Sequence, residues 1–276
     1  MEHFDLGGEI KITGISDFDL EKTFECGQSF RWDSDIRGMY AGVAMGRAAQ
    51  LRREGDSIFI SCPIEDFENI WREYFDLERD YAKIRQRLCV DEFMQKATEF
   101  GKGIRILRQD SWEALCSFII SQCNNIPRIK GIIATLCREF GERLDFMGKD
   151  HYTFPPASKI ATLEESDLRP LRAGYRASYI ISAAKAVAIG KIDLAALEHT
   201  TPNVARSALK KLKGVGDKVA DCTMLFGLNM LDTFPKDVWI KRAITDQYGP
   251  DFDPKIFHPH AGIAQQYIFH YTRSNY

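Results

Sequence analysis

No stretch of the 276 residues approaches the roughly 18 uninterrupted apolar positions of a membrane-spanning helix. The most apolar segment, residues 179–190, is broken by Lys185, so no membrane span is expected. The start of the chain carries Glu2, Asp5, Glu9, Asp17, Asp19, Glu21 and Glu25 and no apolar run. Neither a secretory signal nor a transit peptide is read there, and a cytoplasmic protein is the expectation. The seven cysteines, at 26, 62, 89, 116, 123, 137 and 222, contain no Cys-x-x-Cys pair. That excludes a zinc ribbon, a thioredoxin-like site and a disulfide scaffold. Only Cys222 follows Cys137, so the grouped thiolates of an iron–sulphur cluster are missing. The six histidines form no His-Glu-x-x-His motif, and the close pair His258 and His260 flanks Pro259 and reads as a loop. No metal and no redox cofactor are expected.

The composition, 45% hydrophobic and 28% charged, belongs to a globular chain, with a length suited to about two domains at roughly 150 residues each. The net charge of −2 conceals a polarity. Residues 1–100 hold 13 Lys and Arg against 21 Asp and Glu, a balance of −8; the remainder holds 24 against 18, or +6. A basic second part suits an anionic partner, although a charged run is more commonly a solvated face.

Short strands are read at 10–13, 29–32, 40–44 and 57–61, most of them bounded by Gly, Asp or Pro. From Trp71 the pattern turns helical, and nothing after Trp112 resembles a strand. Apolar residues recur at three and four over 112–122, 127–140, 175–189 and 261–272. The expected fold class is α+β: an N-terminal antiparallel sheet domain with flanking helices over 1–108, then an all-helical domain over 109–276.

The sharpest local feature is a helical hairpin at about 203–229. Thr201 is placed to cap a helix with Pro202 in its first position, and that helix stops at Gly214. Gly214-Val215-Gly216 then leads into a second helix near Asp217. Such a turn presents backbone N–H groups at a helix start, where a phosphate is attracted. Lys210, Lys211, Lys213 and Lys218 crowd it; residues 205–247 hold eight Lys and Arg against five Asp. A bare Gly-x-Gly is nevertheless more often an ordinary helix connection.

Lys218 stands in the first turn of the second helix, where the positive end of the helix dipole disfavours a cation. A neutral amine is the form that attacks carbon and forms a Schiff base. Cys222 follows four residues later on the same face. Asp237, after Phe234-Pro235-Lys236, is placed to begin the next helix; it reads as an N-cap or as a carboxylate facing Lys218. A lysine, a carboxylate and an anion-binding turn suit attack at a sugar carbon on a nucleic-acid backbone.

The run Leu212-Lys213-Gly214-Val215-Gly216-Asp217-Lys218-Val219-Ala220-Asp221-Cys222, followed by Pro235-Lys236-Asp237-Val238, resembles the helix-hairpin-helix and Gly/Pro-Asp signature of base-excision DNA glycosylases. The lysine marks the bifunctional glycosylase/lyase subgroup. Further blocks resemble 8-oxoguanine DNA glycosylase: Gly27-Gln28-Ser29-Phe30-Arg31-Trp32, Asn124-Asn125-Ile126-Pro127-Arg128-Ile129, Gly174-Tyr175-Arg176-Ala177, and Gly262-Ile263-Ala264-Gln265 with Phe269. Together they cover nearly the whole chain in the family's order.

The resemblance implies excision of 8-oxoguanine, flipped out of duplex DNA and paired there with cytosine, by a monomer located with the nucleoid if the source is bacterial. It implies that Lys218 attacks C1′ and cuts the strand by β-elimination, and that Asp237 stabilises the developing sugar cation. Cys222 and Phe269 match the positions that sandwich the base, Gln265 the reader of its Watson–Crick edge, and Gly27 the carbonyl that accepts the N7 proton. Arg128 and Arg176, with Asn124, Asn125 and Tyr175, match residues that engage the opposite cytosine. Gly214, Val215 and Gly216 match the DNA-binding hairpin, whose carbonyls can hold a structural monovalent cation.

Two departures stand out. Cys123 replaces the first of the family's three asparagines, and Trp239 stands where histidine often follows the aspartate. Two rival readings are a glycosylase for alkylated bases, against which Lys218 and the Gly27 block argue, and a non-catalytic DNA-binding module.

Overall fold

Ile10 and Ile12 are wholly buried while Lys11 between them is half-exposed, and this alternation is that of a strand with one face on a core. In the computed structural model, which describes residues 1–275, the strands are β1 (Glu2–Asp5), β2 (Ile10–Thr13), β3 (Trp32–Ser34), β4 (Tyr40–Ala44), β5 (Arg47–Glu54) and β6 (Ser57–Ser61). They form one sheet in the order β1-β2-β6-β5-β4-β3. β2 and β6 are antiparallel, with Ile10 opposite Ile60 and Ile12 opposite Ile58, which sets the buried isoleucines side by side.

The chain divides into two units that are not continuous in sequence. The first consists of Met1–Gln28, Leu51–Arg108 and Met230–Tyr276, the second of Ser29–Gln50 and Gln109–Asn229. The first unit contains α1 (Leu20–Glu25), α2 (Ile64–Asp66), α3 (Arg72–Tyr74), α4 (Tyr81–Leu88) and α5 (Glu92–Phe100). A π-helical turn, Phe67–Trp71, joins α2 to α3. The second unit contains α6 (Ser111–Ile120), α7 (Ile126–Phe140), α8 (Ala157–Ala161), α9 (Arg176–Ala188), α10 (Leu194–Glu198), α11 (Pro202–Leu209) and α12 (Asp217–Gly227). Returning to the first unit, the chain ends with α13 (Val238–Gln247) and α14 (Ala261–Asn275).

Short acidic and amide side chains start many of these helices. Asp19, Asp80, Asp91, Asp110, Asn125, Asp193 and Asp237 each accept a hydrogen bond from the backbone N–H three residues on. Thr201 occupies the N-cap position of α11 ahead of Pro202, but its side chain makes no cap hydrogen bond.

Several sequence expectations need correction. A strand pair does occur after Trp112: β7 (Arg143–Phe146) and β8 (Lys149–Tyr152) form an antiparallel hairpin across Met147 and Gly148. Arg143-Leu144-Asp145-Phe146 does alternate polar with apolar, but over only four residues, and Lys149-Asp150-His151-Tyr152 is mostly polar, so the signal is too short to identify a strand. β1 and β5 were not expected either. β5 buries only Ala49 and Leu51 and fills its other positions with Ala48 and with arginine, glutamine and glutamate, so it lacks the β-branched and aromatic residues that mark a strand. The strand expected at 29–32 lies at Trp32–Ser34, where Trp32 pairs with Gly42; a Cβ at Gly42 would lie 2.5 Å from the indole.

Candidate active site

In the second unit, Gly214 has φ +80°, and a Cβ on it would lie 2.1 Å from the ring of Tyr179 in α9. Glycine is required there both for the left-handed backbone and for the close approach. Val215 is buried and anchors the turn, while Gly216 is exposed as the N-cap of α12 and supplies no side chain to its first-turn N–H groups. Those groups have no intrahelical acceptor and point outward beside a cationic rim. Lys213 lies 5.8 Å from the centroid of the Tyr179 ring, and Lys210 pairs with Asp217 at 2.6 Å, which holds that carboxyl below its ordinary range.

Lys218 is half-buried in the first turn of α12. Its Nζ donates to Ser121 Oγ at 2.8 Å and sits 5.2 Å from the centroid of the Phe118 ring. Phe118 is itself held between Phe226, stacked at 5.3 Å, and Phe30, edge-on at 6.0 Å. Cys222, one turn further along α12, is buried. Asp221 beside it ion-pairs with Arg206 at 2.6 Å, yet burial outweighs that partner and raises its carboxyl above the usual range.

Arg176 is buried at the start of α9. Its guanidinium donates to the carbonyls of Gln122 and Cys123, the latter at 3.1 Å, and to that of Ala173 at 3.2 Å. It therefore fastens the loop between α6 and α7, in which Cys123 adopts φ +47° and is exposed. Asn124 Nδ2 donates to Ile120 O at 3.2 Å, Asn125 caps α7, and the exposed Arg128 donates to Arg172 O at 3.3 Å. Tyr175 is 52% exposed; its ring meets Tyr179 edge-on and lies under the Arg176 guanidinium at 4.6 Å. The second unit thus joins the hairpin, Tyr175, Arg176, Lys218 and the 121–125 loop into one contiguous group.

In the first unit, Gly27 has φ +81° in the turn after α1. Gln28 beside it is wholly buried, with Nε2 donating to Thr23 O at 2.9 Å and Arg105 O at 2.7 Å and Oε1 accepting from Leu107 N at 2.9 Å. On the other side, Gln266 Nε2 donates to Cys26 O at 2.8 Å. The Gly27 peptide is thereby pinned to α14. Gln265, its neighbour on that helix, is 4% exposed, and its Oε1 has no hydrogen-bond partner. An acceptor left unmatched at that depth is costly unless a donor arrives. Phe269, one turn on, is half-buried with the Arg273 guanidinium 5.5 Å from its ring centroid. Asp237 caps α13, accepting from Ile240 N at 2.9 Å, and its side chain is half-buried.

The structure supplies residues that sequence reading did not assign: Ser121, Tyr179, Gln28 and Gln266. Tyr179 carried a signal in its four-residue spacing from Tyr175; Ser121 and Gln266 carried none. No group of three or more His, Cys, Asp or Glu able to hold a metal occurs among the described residues, and no described helix is long and apolar enough to cross a membrane.

Comparison with known proteins places these features in a family. Residues 11–115 match the 8-oxoguanine DNA glycosylase N-terminal domain, and residues 116–256 match the HhH-GPD superfamily of base excision DNA repair proteins. An N-glycosylase/DNA lyase of Arabidopsis thaliana, OGG1, is 30% identical over 95% of this chain and 75% of its own length. Among solved structures, MBOgg1 in complex with a low-affinity DNA ligand is 42% identical with a TM-score of 0.95, covering 99% of this chain and 98% of its own. The 8-oxoguanine glycosylase/lyase of Clostridium acetobutylicum, bound to double-stranded DNA with cytosine opposite 8-oxoguanine, is 36% identical with a TM-score of 0.95. That match covers 100% of this chain and 98% of the other.

Proposed function

The chain belongs to the 8-oxoguanine DNA glycosylase family of the HhH-GPD base-excision repair superfamily, and from that premise we propose that it removes 8-oxoguanine paired with cytosine, with Lys218 as nucleophile. The enzyme class follows from the family: a DNA glycosylase with an associated lyase activity. The observation that carries the mechanism is the seat of Lys218, in the first turn of the helix leaving the hairpin with its Nζ on Ser121 Oγ at 2.8 Å.

In the reaction we propose, the hairpin N–H groups hold a backbone phosphate and the damaged nucleotide is flipped out. The neutral Lys218 amine attacks C1′, and the C1′–N9 bond breaks with its electron pair passing to the purine, which takes up the proton that Nζ loses on bonding to carbon. The remaining Nζ lone pair then forms an iminium with C1′ as the C1′–O4′ bond breaks, and O4′ takes a proton from water to become a hydroxyl. Loss of a C2′ proton then expels the 3′ phosphate. Asp237 offsets the positive charge on the sugar as the base departs.

Specificity rests on acceptors. The Gly27 carbonyl accepts the N7–H that 8-oxoguanine has and guanine lacks. The unpartnered Gln265 Oε1 suits the N1–H and N2–H donors of a guanine-type edge, with Phe269 and Cys222 against the base faces. Asn124, Asn125, Arg128, Tyr175 and Arg176 lie toward the opposite strand in this reading. No metal enters the chemistry.

The test is a duplex with one 8-oxoguanine opposite cytosine. The wild type is expected to release the free base and nick the strand, and Lys218→Gln to do neither. Nicks that appear only after alkali would mean excision by water and overturn the imine; no base release at all would overturn the substrate.

A further inference from the structure

Lys218 is held by a hydroxyl whose own proton is already committed. Ser121 is the C-cap of α6, and its Oγ donates to the carbonyl of Phe118 at 2.8 Å. Its backbone N–H donates to Ser117 O at 2.9 Å, so both main chain and side chain are fixed to the last turn of a helix whose residues from Trp112 to Ile120 are all buried. A serine hydroxyl has one proton and two acceptor lone pairs. With the proton on Phe118 O, Oγ can meet Lys218 only as an acceptor, and the 2.8 Å contact must be Nζ–H donating to Oγ.

That polarity matters for a nucleophile. An amine that donates one N–H keeps its lone pair, whereas an amine that accepts from a hydroxyl surrenders it. We infer that Ser121 is a positioning residue for Lys218: it fixes Nζ by accepting from it, leaving the lone pair unspent and aimed away from α6 toward the sugar. This rests on Lys218 being the nucleophile.

The surroundings support the assignment. α6 and α12 run antiparallel at very short range: a Cβ on Gly227 would lie 2.8 Å from Ala114 Cβ and 3.1 Å from Ser111 Cα. The start of α6 therefore abuts the end of α12, and the end of α6, with Phe118 and Ser121, abuts the start of α12, with Lys218. The Phe118 ring lies 5.2 Å from Nζ and is itself clamped by Phe226 and Phe30. Among the described residues, Ser121 Oγ is the polar atom that Nζ reaches. Removing it would free a flexible four-carbon chain to sample other rotamers, and misplacement of a reacting group costs rate rather than affinity.

Single-turnover kinetics on the full chain test this, with borohydride-trapped adduct as the chemical readout and equilibrium binding to the lesion duplex measured separately. Ser121→Ala is expected to slow adduct formation about tenfold with lesion-duplex Kd held within about twofold, the size expected of one hydrogen bond felt in the transition state. Ser121→Cys, similar in shape but a weak acceptor, should fall with alanine. Ser121→Thr, which keeps the hydroxyl, should recover the rate to within about threefold of the wild type. Equal rates in wild type and Ser121→Ala would overturn the role of Ser121 while leaving Lys218 in place. So would loss of rate in proportion to loss of binding in alanine and threonine variants alike, which marks a purely structural residue. No adduct with the wild type would overturn the nucleophile and Ser121 with it.

Discussion

Gln266 Nε2 donates to the carbonyl of Cys26 at 2.8 Å, fastening the residue before Gly27 to the second turn of α14, 240 residues away in sequence. Gln266 is 2% exposed, so this bond is made out of water and holds the peptide to which the proposed reading assigns lesion recognition. Gln266→Leu leaves a buried carbonyl unmatched, at a cost of about 1–3 kcal/mol. Its melting temperature is expected to fall, and its preference for lesion over undamaged duplex in competition binding to narrow about tenfold. A lower melting temperature with unchanged preference would show that Gln266 does not control Gly27.

Gly214→Ala combines a left-handed backbone with a Cβ 2.1 Å from Tyr179. The backbone alone costs about 1–2 kcal/mol, and the displaced ring adds to it. Weaker binding to lesion and undamaged duplexes alike is expected, because the proposed reading gives the hairpin phosphate contact rather than base reading. Salt titration of binding checks this: the variant should lose affinity without gaining or losing lesion preference.

Arg176 bridges main-chain carbonyls of two segments, a task that a planar fork performs and an ammonium does not. Arg176→Lys is expected to cost about 1–3 kcal/mol in denaturant unfolding. It should also reduce excision opposite cytosine by loosening the 121–125 loop. Excision rates across the four opposing bases check the second effect, which should be largest for cytosine.

His270 is ordinarily a group titrating near 6.5 and is pushed down to about 4, first by burial and then by the charges of Arg273 and Lys22, with Asp19 opposing them. Folded protein thus keeps this imidazole neutral where the unfolded chain protonates it. The unfolded state binds more protons between pH 6.5 and 4, so stability falls as pH drops through that window. His270→Gln is expected to flatten that part of the profile, measured by chemical denaturation at pH 7 and pH 5. An unchanged slope would contradict the assignment.

Much of the architecture was legible because local chemistry and global fold agree. The alternating isoleucines of β2 and β6 and the Thr-Pro start of α11 are local signals, whereas α11 ends at Leu209 with Lys210 as its C-cap, not at Gly214, which lies in the turn beyond. β5 was hidden because Ala49 and Leu51 are its only buried residues among arginine, glutamine, glutamate and alanine, and β7 and β8 because each is only four residues long. The helix-start positions of Lys218 in α12 and Asp237 in α13 were legible through the hairpin and the proline before the aspartate. Ser121 was not, since a lone serine after two isoleucines gives no sign that it will meet a lysine 97 residues on. Arg176 was read as a residue facing the opposite base; that its guanidinium also donates to the backbone carbonyls of Gln122, Cys123 and Ala173 was announced by no local pattern.

The central claim is that Nζ of Lys218 becomes bonded to C1′ of the damaged nucleotide. Borohydride reduction during turnover on a duplex carrying 8-oxoguanine opposite cytosine, followed by proteolysis and mass mapping, tests it directly. The account predicts one covalent adduct, on the peptide containing Lys218, absent with undamaged duplex and with Lys218→Gln. An adduct mapped to another amine, or efficient base release with no adduct, would contradict it.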